Sequence, residues 1–538
     1  MKRCPECLRN YADETLNFCL DDGARLVDGP FTGQLDPTVM YPTIPNSIES
    51  SVREYFASSQ INQAAANTIA VLPFLNLVKD EDGDYFSDGL AEELLNVLSK
   101  IKALRVAART SAFSFKGKQT TIADIGQILN VASVLEGSIR KSGKQLRISV
   151  QLVKVADGYH LWSETYDRTM DDIFAVQDDI ARSVVEEIRV RLLGEAPGNS
   201  VSREVVSQVA RAVRGRSGNP EAQRLMLLGR HFLDRTTRED TAQAVSYFEQ
   251  ALAIDPNYAL GFAELGRAFS IEAGRGWVAV EDGFKRSREA TLRALSIEPD
   301  LAEGHAQLGR ILATHDWNLR EAESSYRRAL ELAPGSSSVL DGASVLFYKL
   351  GRLDEAEELG ERVLQQDPLS AAYWHNLGLT YHAAGKLEKS ENAFRRALEL
   401  APKRLVSRAL LALVLLEDGK TEEAVEQAKD EPDEFWRSWS LAIVFESIGD
   451  RDKAGPITEA LVSNFSEGNS YQLAELFSMR QDVDEAFKWL GQSIRERDPG
   501  LTHAKVNPRF RNLYNDPRWQ DLLESIGLTE PNEMGAKQ

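Results

Sequence analysis

Hydrophobic positions change their spacing along the chain, and the changes divide it. Thr68–Phe74 (TIAVLPF) is a short, β-rich apolar run fit for a buried strand. After the acidic stretch Asp80–Asp84, Leu90, Leu94, Val97, Leu98 and Ile101 recur on one helical face, with Ser87 or Asp88 placed to cap that helix. Arg105–Ala108 reads as a second strand and Thr121–Leu129 as a second helix. In Lys144–Val155, Leu146, Ile148, Val150 and Leu152 alternate with Arg147, Ser149 and Gln151. That period of two predicts a half-buried antiparallel strand, joined to Ser133–Lys141 through a turn at Ser142-Gly143. Asp157-Gly158 turns again into His160–Tyr166, and Met170–Leu193 reads as a long closing helix. The expected product is an α+β sandwich with helices packed on a sheet.

Farther on, the apolar positions become helical and repetitive. Pro256, Pro299, Pro334, Pro368 and Pro402 each close a segment of the type A-L-x-x-x-P, with Val363 in place of Ala before Pro368, at spacings of 43, 35, 34 and 34. Upstream of Pro402 stand Trp374, Leu377, Gly378, Tyr381, Phe394 and Ala397, with Ser390 where Ala is usual. In period and packing positions the region resembles the tetratricopeptide repeats. About eight helix pairs fit between Pro220 and Pro499, and Asp516–Gly527 reads as a polar-faced terminal cap. Leu-Gly-Arg occurs in three successive first helices, so that Arg230, Arg267 and Arg310 share one repeat position. The resemblance implies that this position faces the concave groove, where three guanidiniums would form a carboxylate- or phosphate-reading stripe. The alternative pairs each with an acid of its own array, such as Glu264 or Glu303.

The middle region carries a second resemblance. Ala70-Val-Leu-Pro-Phe74, Tyr85-Phe-Ser-Asp-Gly-Leu90, Arg109-Thr-Ser111, Phe115-Lys-Gly-Lys118, Leu135-Glu-Gly-Ser138 and Leu161-Trp-Ser-Glu-Thr-Tyr-Asp-Arg168 are similar to the TolB-like (FlgO-related) amino-terminal domains of bacteria. That likeness implies a non-catalytic domain over residues 68–193, found in its family beside cyclase, kinase or DNA-binding domains and followed by repeats. Arg109, Lys116 and Lys118 surround a flexible turn and are read as an anion loop or as a solvated basic loop.

All three cysteines lie in the first 19 residues. Cys4-Pro-Glu-Cys7 is a C-x2-C knuckle, and Cys19-Leu-Asp-Asp22 repeats its spacing with a carboxylate in the fourth place. Zinc accepts S and O ligands tetrahedrally, so Cys4, Cys7, Cys19 and Asp22 form a candidate structural site for one ion. Asp21, water or a partner group remain alternatives for the fourth ligand. The segment resembles the zinc-ribbon leaders of bacterial signalling proteins. Four basic and five acidic side chains in residues 1–26 make no nucleic-acid patch.

Composition narrows the function. The 538 residues hold 63 Lys+Arg against 82 Asp+Glu, a net charge of −19, which argues against phosphate-backbone binding and docking on anionic lipid. The apolar run Ala409–Leu416 is far too short to span a bilayer, and no apolar region follows MKRCPECLRN, so a cytoplasmic protein is expected. Gly419-Lys-Thr421 lacks the first glycine of a P-loop, and no H-E-x-x-H, G-x-S-x-G or G-x-G-x-x-G occurs. The expected multidomain order is a zinc ribbon (1–27), a linker (28–67), the TolB-like α+β domain (68–193), a linker (194–218), an all-α tetratricopeptide-repeat superhelix (219–500) and a cap helix with tail (501–538). The expected function is a non-enzymatic scaffold or adaptor of bacterial signalling that holds a protein or peptide segment in its repeat groove. The alternative is a ligand-sensing module in which the middle domain binds a small ligand or anion and the repeats relay it.

Overall fold

The computed structural model describes residues 66–77, 81–101, 104–142, 145–169, 173–192, 199–235, 237–466 and 468–529, together with 2–3, 10–11 and 27–28. Residues 1–45 form one compact unit and 46–538 another. In the first, β1 (Lys2–Arg3) pairs antiparallel with both β2 (Asn10–Tyr11) and β3 (Val27–Asp28). Cys4, Cys7, Cys19 and Asp22 lie outside the described residues.

The second unit opens with a mixed sheet of β4 (Thr68–Val71), β5 (Leu75–Asn76), β6 (Arg105–Val106), β7 (Ser133–Ser142), β8 (Gln145–Lys154) and β9 (His160–Thr169). The order is β6-β4-β7-β8-β9, and β5 continues the lane of β4 along β7. β4 runs parallel to β6 and β7, whereas β7, β8 and β9 form an antiparallel meander. The alternation in β8 has its expected effect: Leu146, Ile148, Val150 and Leu152 are buried. They meet Leu90, Leu94 and Leu98 of α1 (Glu81–Ser99) and Val176, Ile180 and Val184 of α4 (Ile173–Glu187). Each such aliphatic contributes about 1.5–3 kcal/mol. On the opposite face α3 (Ile122–Ile128), capped by the Thr121 hydroxyl, packs Ile125 and Ile128 on Ala70 and Val134.

Three boundaries differ from the sequence expectation. α1 starts at Glu81, before the expected cap at Ser87 or Asp88, because acidic residues suit a first helical turn and its positive end. Arg109–Phe113 forms a short helix, α2. The stretch expected as a second linker contains α5 (Asn199–Ala212), which buries Val209 and Ala212 in the sheet core.

Eight helical hairpins follow: α6 (Pro220–Leu233) with α7 (Arg238–Ile254), α8 (Ala259–Gly274) with α9 (Val280–Ile297), α10 (Ala302–Ile311) with α11 (Leu319–Leu332), and α12 (Ser337–Lys349) with α13 (Leu353–Gln366). The others are α14 (Ala371–Ala383) with α15 (Leu387–Leu400), α16 (Ser407–Glu417) with α17 (Thr421–Lys429), α18 (Glu434–Ser447) with α19 (Arg451–Phe465), and α20 (Ser470–Met479) with α21 (Val483–Glu496). Small residues permit the close crossing inside a hairpin. A Cβ on Gly378 would lie 3.0 Å from the Phe394 ring, and one on Gly309 2.8 Å from Tyr326. Ser390, the exception to the repeat pattern, is buried, and its hydroxyl donates to the Gly378 carbonyl at 2.8 Å.

After α21 come two 3-10 segments, Pro499–Val506 and Pro508–Leu513, and then α22 (Pro517–Ser525). This end is more than a polar-faced cap. Phe510, Leu513, Trp519, Leu522 and Ile526 are buried in one cluster with Leu312, Tyr326 and Phe347 of the third and fourth hairpins.

Candidate functional site

The first helices of successive hairpins touch one another and form one row of the array, and other parts of the chain pack on several of them. The α+β domain sits on the first hairpins. Glu93 of α1 pairs with Arg230 of α6 and, at 2.6 Å, with Arg216, while Arg230 also reaches Glu264 of α8 at 3.0 Å. Beside it, Arg109 bridges Glu92 at 2.8 Å and Asp234 at 2.9 Å. Lys100, just past α1, pairs with Glu303 of α10 at 2.8 Å. The polar seam continues where Ala108 N–H donates to the Gln366 carbonyl (2.7 Å) and Leu369 N–H to Ser111 Oγ (3.0 Å). Ser111 Oγ in turn donates to Asp367 at 2.5 Å.

This placement corrects the stripe expected from Leu-Gly-Arg. Arg230 is buried (6% exposed) between Glu93 and Glu264, so no incoming segment reaches it. Burial opposes its charge, but Glu264 and Glu93 more than offset that and raise its pKa well above the ordinary value. Glu93 is likewise pushed up by burial and drawn below its usual range by Arg216 and Arg230. Arg267 is half-exposed and held by Glu264 (3.2 Å) and Asp234 (3.6 Å). Of the three, Arg310 alone is exposed on its helix. The proposed anion loop is also engaged with acids: besides the two partners of Arg109, Lys116 Nζ donates to Asp88 at 2.6 Å. Lys118 N–H donates to the Phe115 carbonyl. The sequence could not foresee this, because Glu93 and Arg230 stand 137 residues apart.

The C-terminal segment packs on α12, α20 and α21. Arg509 lies over the Trp439 ring (5.4 Å) and binds Glu475 through Nε (2.9 Å) and Nη2 (2.7 Å). Asn507 Nδ2 donates to Tyr471 Oη at 2.7 Å and also bonds Glu475 at 2.5 Å. His503 stands against Tyr348, with ring centroids 5.4 Å apart. α10, α12, α14 and the loop before α16 carry Arg310, Asp341, Lys349, His375, Asn376 and Arg404. Asn376 Nδ2 donates to Asp341 Oδ1 at 2.9 Å, and His375 Nδ1 lies 2.8 Å from Ser407 Oγ.

Among known proteins, the tetratricopeptide-repeat family matches residues 343–403, 375–436 and 237–258. The C-terminal region is therefore a tetratricopeptide-repeat array. Residues 65–183 match the second domain of HilA/YgeH-like transcriptional regulators, a description other than the TolB-like one expected from the sequence. The chain is similar to a protein named "Putative adenylate cyclase 3" of Rhizobium meliloti (strain 1021), at 37% identity over 201 residues. That stretch is 37% of this chain and 32% of the relative, so the match spans about a third of the relative's length. Similar solved structures include a tetratricopeptide-repeat protein from Parabacteroides merdae (17% identity, TM-score 0.35, 49% of this chain and 98% of that one). Another is PilF of Pseudomonas aeruginosa (19% identity, TM-score 0.33, 40% and 95%). No helix among the described residues is long and apolar enough to cross a membrane.

Proposed function

We propose that the chain is a non-enzymatic interaction adaptor of bacterial regulation, which holds a partner protein or peptide segment in the part of its repeat groove that its own residues leave open. The repeat array carries this reading, since stacked hairpins build an extended binding surface. The match of residues 65–183 to a transcriptional regulator's second domain supports the regulatory half. The zinc ribbon belongs to the proposal as a folding or interaction module, with one structural ion held by the N-terminal cysteines.

The test is capture from native lysate at ~150 mM salt, using the full chain and an Arg310→Glu variant. Arg230→Glu is unsuitable, because it would break the seam with the α+β domain. A partner held by the wild type and lost by the folded variant is the expected result. The reading falls if the wild type holds no partner, or if the purified chain turns over ATP–Mg to cyclic AMP.

One observation favours the sensing alternative. A cleft of about 490 Å³ lies at the seam of the α+β domain and the repeats, lined by Lys100, Arg211, Arg214, Asp300, Leu301 and Leu332. Clefts at such seams are common ligand sites. A rise in melting temperature with small anionic metabolites, without any protein partner, would favour this alternative.

A further inference from the structure

The sheet of the α+β domain has two edges, β6 and β9, and the chain treats them differently. The repeats sit against β6, where Arg105 Nη1 reaches Gln365 Oε1 at 3.5 Å. β9 is 10 residues long, about twice a typical strand, and among the described residues no strand pairs with its outer side. The ladder decides which backbone groups face that side. Lys154 N–H donates to the Tyr159 carbonyl and Val155 N–H to the Ala132 carbonyl, both at 2.9 Å. Even-numbered residues of β8 therefore bond towards β9 and odd-numbered ones towards β7. With Ile148 opposite Tyr166 and Val150 opposite Glu164, the even-numbered residues of β9 bond to β8, and Ser163, Thr165 and Asp167 turn their backbone groups outward. The Asp167 carbonyl accordingly takes a side-chain donor, Arg168 Nη1 at 3.0 Å. Proteins blunt such an edge with lysine, proline or a bulge. β9 holds neither Lys nor Pro, and its register shift, opposite Leu152 and Val153, leaves residues 163–169 regular.

The side chains of that stretch select the partner. Glu164 and Arg168 are exposed on one face of β9, and among the described residues neither has an ion-pair partner. Tyr166 Oη donates to one Glu164 oxygen at 3.0 Å and so holds the carboxylate at the edge. Along the strand the two charges stand roughly 13 Å apart, too far to pair with each other. An antiparallel copy of residues 163–169 laid alongside with full overlap is centred on Tyr166. It puts Arg168 of the second copy opposite Glu164, and the two-fold axis repeats the pair. These are non-hydrogen-bonded positions, where opposed side chains are closest. A cleft of about 580 Å³, lined by Glu164, Tyr166, Arg168, Arg182, Ser183 and the half-exposed Val206, lies along the edge and gives added side chains room.

We infer that β9 is the contact between two copies of this chain: two β9 strands pair antiparallel about Tyr166, and Glu164 of each copy meets Arg168 of the other. Arg168 leaves the Asp167 carbonyl to do so, and the Thr165 N–H of the second copy takes its place. The inference goes beyond the adaptor reading and does not depend on it; a paired adaptor presents two repeat arrays.

The test is sedimentation velocity of the full chain between ~1 and ~200 µM, with Glu164→Lys, Arg168→Glu and the double variant. All the changes lie at exposed positions, and melting temperatures verify the folds. The wild type is expected to dimerise. Each single change sets two like-charge pairs across the axis and is expected to weaken the dimer about tenfold, and the double variant to recover it. Hydrogen exchange at the Thr165 and Asp167 amides is expected to slow as the dimer forms. A wild type that is monomeric throughout, a dimer that neither single change weakens, a double variant no tighter than the single ones, or amides that exchange equally fast in monomer and dimer overturns the inference. Protection of the β9 amides only when a different protein from lysate is added assigns the edge to that protein and overturns it as well.

Discussion

Lys349→Met tests the buried ammonium directly. Burial alone pushes the Lys349 pKa down to about 8 from an ordinary 10.5. A gap of about 2.5 units corresponds to about 3 kcal/mol between the folded and unfolded environments of the charge. Below pH 8 the amine is protonated in both states, so the folded chain bears that cost in full. Between pH 8 and 10.5 the unfolded chain binds more protons, and stability therefore rises with pH. Above 10.5 the amine is neutral in both states and the cost is gone. The neighbours do not obscure this window. Burial pushes His503 and His375 to about 3, so both stay neutral, and it pushes the Tyr348 phenol upward. Methionine fills the same space without the charge. Allowing for relaxation, the variant is expected to be more stable at pH 7 by about 1–3 kcal/mol, seen as a melting midpoint about 2–6 °C higher. The advantage should shrink between pH 8 and 10.5, since all other titrating groups are common to both proteins. A variant no more stable than wild type at pH 7, or an advantage that persists at pH 10.5, would refute the reasoning.

Asp367, at the seam with the α+β domain, is pushed up to about 6 by burial, against the hydrogen bonds from Ser111 and Thr110. The folded chain therefore holds a proton that the unfolded chain releases above pH 4, and this stabilising contribution, about 3 kcal/mol, is lost as pH rises through 6. Asp367→Asn should abolish that part of the dependence in thermal melts at pH 5 and 7; an unchanged slope would count against it. Arg230→Met leaves Glu93 and Glu264 buried with one cation fewer, and should cost about 3–5 kcal/mol, with faster hydrogen exchange in α1 and α6. Phe510→Ala, in the core that joins the C-terminal segment to the repeats, should cost about 3–5 kcal/mol in thermal melts. Elemental analysis of the purified chain should find one zinc, lost with Cys4→Ser or on chelation; a metal-free wild type would remove the ribbon assignment.

Local periodicity explains what was legible. The two-residue alternation in β8 and the spacing from Trp374 to Ala397 each describe a surface that one element buries on its neighbour, so the pattern lies within a few dozen residues. The groove lining depends on long-range contact instead. Nothing near Arg230 announces Glu93, and nothing near Ser111 announces Asp367, whereas the pairing of Arg230 and Arg267 with Glu264 is the alternative that the array's own acids allowed. Lys349 carried no signal in the sequence either: its neighbour Tyr348 packs on His503, 155 residues farther along the chain. The boundary of α1 was missed for a local reason: acidic residues suit a loop and a helical first turn equally.

The attachment of the C-terminal segment to the third hairpin changes what kind of object the array is. An open solenoid is a one-dimensional stack, in which the last unit frays first and each unit answers only to its neighbours. Here Gly527 packs against the Trp317 carbonyl, the Arg497 guanidinium lies over the Trp317 ring, and Arg497 Nη2 donates to the His315 carbonyl at 2.5 Å. The eighth hairpin therefore has a second set of neighbours five repeats upstream, and the stack has no loose end between them. Loss of the last turn of chain would release the third hairpin as well as the eighth. Hairpins three to eight should melt as a single cooperative block, and a truncation near residue 498 should turn that block back into a fraying ladder.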